Sequence, residues 1–203
     1  MYRIQTEEEL QALLGYPSEL VQRKVINHID HHCRDFIAKS PFLVMSTASR
    51  EGDCDTSPRG DAPGFVYILD DKRMIIPERP GNKRMDSLRN ILSNPHVGLL
   101  FLIPGLGETL RVNGKATLVQ DEVLLEKMAV KGKWPIVGIC VEVQECFIHC
   151  AKAFKRSRLW ERESWPTEVP TAAKILADHA KLPGASEEAI SARLSKGYRE
   201  QLY

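Results

Sequence analysis

Hydrophobic positions along the chain fall into two kinds of pattern. Across residues 19–39, Val25, Ile26, Ile29, Cys33, Phe36 and Ile37 recur at steps of three and four, the stripe of an amphipathic helix. Pro41 closes that pattern, because proline disfavours helical backbone in the residue before it. Beyond it the runs 42–49, 64–70, 73–78, 96–103, 109–119 and 136–148 read as strands, with Asp70-Asp71 as the hairpin turn between 64–70 and 73–78. Two short helical patterns lie among them. One is Met85, Leu88, Ile91 and Leu92, stopped by Asn94-Pro95; the other covers 123–130 with Asp121 as its N-cap. Residues 161–170, with Trp165-Pro166 and Pro170, read as an extended connector to two amphipathic helices near 172–181 and 186–201.

Six strand-like runs joined mostly by turns do not make an alternating βαβ parallel sheet. The order predicts a mainly β (α+β) fold, a six-stranded antiparallel barrel with peripheral helices. The whole chain, 1–203, reads as one domain: an N-terminal helix over 19–39, a barrel core over 41–160, and a C-terminal helical extension over 171–202 too short for a core of its own. There is no internal repeat and no low-complexity tract.

Composition narrows the function classes. The 203 residues carry 28 Lys plus Arg against 27 Asp plus Glu, a net charge of +1, which argues against a dedicated nucleic-acid binder. No run approaches the roughly 20 apolar residues of a membrane span, and Glu7, Glu8 and Glu9 do not fit a secretory leader. Cys33, Cys54, Cys140, Cys146 and Cys150 are odd in number and never spaced CxxC, so reduced thiols in a cytoplasmic protein are expected.

The usual nucleotide, zinc-protease and hydrolase motifs are absent. Cys146, His149 and Cys150 are the nearest approach to a metal cluster, but on a strand His149 faces away from the two cysteines. His28 and His32, four apart, lack a third ligand and read as a solvated helix face; no metal site is predicted. Residues 80–85, Pro-Gly-Asn-Lys-Arg-Met, are more informative. Pro-Gly turns the chain, Asn82 is a good N-cap, and Lys83 and Arg84 occupy a first helical turn that ordinarily prefers acids. An anion among them would reverse the penalty; otherwise they are two surface cations on a loop. Ser57-Pro58-Arg59-Gly60-Asp61 is a second phosphate candidate or an ordinary polar turn. The third is the basic stretch 149–162, where Lys152, Lys155, Arg156, Arg158 and Arg162 alternate with Phe154 and Trp160.

These segments together resemble the FMN-binding split-barrel superfamily typified by pyridoxamine 5′-phosphate oxidase, especially its branch of probable FMN-dependent enzymes. The resemblance is carried by 42–52, Ser-Pro-Arg-Gly-Asp at 57–61, 76–87, 94–101 and 109–116, and more loosely to Trp160. It implies a six-stranded split barrel, a homodimer, and FMN in a groove between subunits. It further implies that Arg59, Lys83 and Arg84, beside Asn82, grip the flavin phosphate. The backbone at Ile76 and Pro77 would lie along the ring, Thr109 would meet its polar edge, and Lys152 and Arg156 would reach it from the partner subunit. The family's Arg- and His-containing substrate motif near the C-terminus has no counterpart, since no histidine follows His179; the resemblance does not extend to a vitamin B6 substrate. The expectation is an FMN-dependent oxidoreductase acting on a small-molecule substrate or electron donor. The alternative is a non-catalytic flavin or haem carrier, or a redox sensor, on the same barrel.

Overall fold

The computed structural model describes residues 1–203. Its N-terminal part holds three short helices, α1 (Glu7–Leu14), α2 (Glu19–Arg23) and α3 (His31–Lys39). The continuous helix expected over 19–39 is therefore broken. Between α2 and α3 the backbone of Ile26 exchanges two hydrogen bonds with Cys146, at 3.1 and 2.7 Å, and the Ile29 N–H donates to the Asp71 carbonyl at 2.7 Å. Main-chain pairing with the sheet replaces helical bonds there, and Asp30 restarts the helix by accepting the Cys33 N–H at 2.8 Å. The apolar stripe keeps its purpose: Ile29, Cys33, Phe36 and Ile37 are all buried.

Seven strands follow: β1 (Phe42–Ala48), β2 (Cys54–Gly60), β3 (Tyr67–Ile68), β4 (Arg73–Pro77), β5 (His96–Leu102), β6 (Thr109–Val119) and β7 (Gly138–His149). They form one antiparallel sheet in the order β2-β1-β5-β6-β7-β4-β3. The strand beyond the expected six is β2, which carries Ser57 to Gly60 and is no turn. Its inner positions are only half-buried and none holds a large apolar residue, so it has no hydrophobic signal. As an edge strand it tolerates Pro58, which has no N–H to contribute to a ladder.

Alternate residues of β1, β5 and β6 point inward, among them Leu43, Met45, Leu99, Phe101, Leu110 and Val112, all 0–1% exposed. With β4, β7 and α3 they make one core. A register shift at Asn113/Gly114 bends the long β6–β7 pair. Only glycine fits position 114, because a Cβ there would strike the Glu142 carbonyl oxygen.

Helix α4 (Asp86–Ser93) joins β4 to β5 and packs on β1, β2 and β6. The short α5 (Glu122–Glu126) is capped by Asp121, which accepts the Leu124 N–H at 3.0 Å. After β7 come α6 (Lys152–Ser157) and a 3-10 turn at Arg162–Ser164, then α7 (Ala172–Ala180) and α8 (Glu187–Glu200). The last two pack on each other and present mostly exposed surface.

Candidate functional site

The two ends of the sheet are not joined by a ladder. Between β2 and the end of β4 lies a cleft of about 1000 Å³, lined also by the start of α4, by Lys133 to Val137, and by Tyr203. Side chains bridge its floor. Arg59 Nη1 donates to Glu78, and Arg79 Nε donates to Asp61 at 2.7 Å while its Nη2 donates to the Met128 carbonyl at 2.9 Å. Both pairs are largely withdrawn from solvent, with the Asp61 side chain only 2% exposed. Burial pushes the Asp61 carboxyl up, but hydrogen bonds from Tyr203, the Ala62 N–H and Arg79 outweigh it and hold the carboxyl below its ordinary range.

Three of the cleft's basic side chains come from β2 and from the turn before α4. Arg59 is held by Glu78 at Nη1 and by Ser57 Oγ at Nε, 3.3 Å, which leaves Nη2 without a partner in the chain. Lys83 makes no ion pair, and Arg84 is held by Asp86 at 2.6 Å. The backbone corrects the expected cap. Asn82 does not cap α4; its Oδ1 accepts the Arg84 N–H at 3.0 Å, closing an Asx turn, and Met85 stands at the N-cap. Lys83 and Met85 both have left-handed backbone, φ 62° and 60°, which is uncommon for residues with a Cβ and costs roughly 1–2 kcal/mol each. Lys83 and Arg84 thus precede the helix rather than forming its first turn, which Asp86 occupies. The lining also includes the apolar Pro77, Trp134, Pro135 and Ile136.

The structure brings Arg59, Pro77, Asn82, Lys83 and Arg84 into this one cleft. The other expected residues lie elsewhere in the single chain. Ile76 is fully buried in the core with its backbone paired to Ile139. Thr109, buried on β6 opposite His149, and the exposed Lys152 and Arg156 of α6 do not line it. Sequence reasoning missed Asp55, Glu78, Ser87, Arg79 and Tyr203. Glu78 and Asp86 flank the basic run closely enough to have been read as its partners; the others meet across 18 to 142 residues and leave no local signal.

Residues 29–150, more than half of the chain, match the family model described as pyridoxamine 5′-phosphate oxidase. The chain belongs to that family. Among solved structures, this family member is similar to HupZ of Group A Streptococcus, at 18% identity and TM-score 0.49 over 59% of this chain and 93% of that one. It is also similar to an FMN-binding protein from Syntrophomonas wolfei (13%, TM-score 0.46, 71% and 93%) and to HutZ, the heme storage protein of Vibrio cholerae (10%, TM-score 0.41, 60% and 93%). No curated protein matches. The assignment of the pyridoxamine 5′-phosphate oxidase-like chain to its family rests on the match over residues 29–150.

Proposed function

We propose that the chain binds FMN in the cleft between β2 and β4 and acts as an FMN-dependent oxidoreductase on a small molecule. The observation that carries this reading is that one cleft is lined by Arg59, whose Nη2 has no partner in the chain, by the unpaired Lys83 and by the backbone turn of Asn82 to Arg84. A phosphate satisfies all three together. The apolar lining of Pro77, Trp134 and Ile136 suits a planar ring, and the volume reaches the upper end of ordinary ligand sites. When bound, the flavin supplies hydride and electron chemistry at its own ring. The chain's residues have the other tasks: Arg59 and Lys83 hold the anion, Arg84 is positioned by Asp86, and the apolar lining excludes water from one ring face.

Flavin is favoured over haem by the donor set. No histidine or cysteine lines the cleft, and these are the side chains that most often hold haem iron. The same reading has the protein act as a cytoplasmic homodimer. In the single chain Ile148 and Leu159 are 44% and 45% exposed, and the Phe154 and Trp160 rings stack on each other nearby in sequence. A second copy would cover that surface and bring its Lys152 and Arg156 toward the cleft. No helix is long and apolar enough to cross a membrane.

The test is affinity for FMN and for riboflavin, which has the ring without the phosphate. Arg59→Ala should weaken FMN by roughly 10- to 150-fold, the worth of one charge-assisted hydrogen bond, and largely spare riboflavin. The Lys83→Ala, Arg84→Ala pair should act in the same direction. Equal losses for both ligands, or no loss for either, would remove the anchor from this cleft. Sedimentation as a stable 22.9 kDa monomer at micromolar concentration would remove the dimer.

A further inference from the structure

Arg59 does not stand alone on β2. Its Nε–H donates to Ser57 Oγ at 3.3 Å, Ser57 Oγ lies 2.9 Å from Ser87 Oγ, and Ser87 Oγ donates to Asp55 Oδ2 at 2.5 Å. Proton counting fixes the direction of the whole chain. A serine hydroxyl has one proton, and an ionised carboxylate accepts only. The Ser87 proton belongs to Asp55, so the proton between the serines is that of Ser57. Ser57 therefore donates to Ser87 and keeps its lone pairs for Arg59. The relay runs one way: Arg59 Nε–H to Ser57, Ser57 to Ser87, Ser87 to Asp55. It joins β2 to α4, and Ser87 is only 3% exposed, so water does not readily substitute for a missing member.

We propose that Asp55 is a positioning residue for anion recognition, acting on Arg59 through Ser87 and Ser57. Without an acceptor at Asp55, the Ser87 proton is free to turn to Ser57, and Ser57 can then direct its own proton at Arg59. The guanidinium loses the partner at Nε that fixes its plane, while Glu78 holds it at Nη1 alone. Unpartnered Nη2 is the nitrogen left for a ligand, and its direction depends on both fixed points. The proposal deepens the reading of this cleft as a phosphate anchor and rests on it for its ligand.

The experiment separates the acceptor from the charge. Asp55→Asn and Asp55→Ala both remove a negative charge from the cleft, but only asparagine retains an oxygen to accept from Ser87. FMN should bind Asp55→Asn about 2- to 12-fold more tightly than Asp55→Ala, the worth of one neutral hydrogen bond, with riboflavin equal for the two. Introducing Ser57→Ala into both should abolish the difference, because the relay is then cut before Arg59. A ligand-free measurement accompanies it. By nitrogen-15 NMR the Arg59 Nε–H should exchange slowly with solvent in the wild type and Asp55→Asn, and faster in Asp55→Ala. Equal FMN affinities for the two variants, or a difference that survives Ser57→Ala, would overturn the positioning role while leaving the cleft as the FMN site. If the wild type bound no FMN, the functional reading would fall instead, and equal exchange in all three proteins would overturn the relay on its own.

Discussion

The phenolic hydroxyl of Tyr203 donates to Oδ1 of Asp61 at 2.7 Å, across 142 residues of sequence. Its ring lies 5.6 Å from the Arg79 guanidinium and 5.5 Å from the Lys131 ammonium, and its main-chain oxygen accepts from Lys133 Nζ at 3.0 Å. Helices α7 and α8 otherwise touch the barrel little, so Tyr203 is the point at which this arm is fastened. Tyr203→Phe should cost about 0.5–1 kcal/mol, the low end for a hydrogen bond because the phenol is solvent-screened. Urea unfolding measures it, and hydrogen exchange in α8 should speed up in parallel.

Asp61 also makes stability depend on pH. Its carboxyl titrates lower in the folded chain than in the unfolded one, so the unfolded state binds more protons. The stabilisation is complete above the ordinary aspartate value of about 3.9 and is lost as pH falls through the lower folded value. The stability difference between wild type and Asp61→Asn should therefore shrink as acid denaturation is followed below about pH 4.

His149 responds in a different window. Burial, and then the nearby Arg111 and Lys24, lower its pKa and keep the ring neutral. Protonation favours the unfolded chain, so this contribution is complete above the ordinary histidine value of about 6.5 and declines as pH falls below it. The His149 ring resonances should titrate below that value, and His149→Gln should flatten the fall in stability.

Glu78→Ala should lower stability and FMN affinity together. Removing the acid leaves the half-buried Arg59 without its ion-pair partner, at a cost of about 1–3 kcal/mol in unfolding free energy. The same change removes one of the two fixed points that aim Nη2, so FMN should bind a few-fold to about tenfold more weakly. Calorimetric titration beside thermal melts checks both signs.

The five thiols should sort by burial. Cys54 and Cys150 are exposed and should react at once with an aromatic disulfide reagent. Burial pushes the half-covered Cys140 thiol up and slows it. Contact with Cys33, whose sulfur lies 3.2 Å away, and burial raise Cys146 further. Cys33 and Cys146 should react only on unfolding.

Much of the barrel was legible because its strands bury one face. Period-two apolar positions in β1, β5 and β6 carry that information locally. Strand β2 was not legible, since Asp55, Ser57 and Arg59 give it a polar inner face. The helix expected across Lys24 to Asp30 failed for a related reason: backbone pairing with Cys146 and Asp71 is a tertiary bond with no local pattern. The basic residues at 83–84 and Arg59 could be recognised one by one from residue type. Their remote supports could not be, because Asp55, Ser57 and Ser87 meet only when β2 and α4 come together.

Along every ladder of this barrel the bonding atoms belong to the main chain, and almost any residue supplies them. Across the cleft the ends of β2 and β4 are held together by Arg59 with Glu78 and Asp61 with Arg79. Closure at that line is written in side chains, one letter at a time. Divergence can erase the rest of the barrel's text and leave its shape. At the cleft it can change one letter only by changing its correspondent, so relatives that lack the acid at either position are expected to lack the matching base.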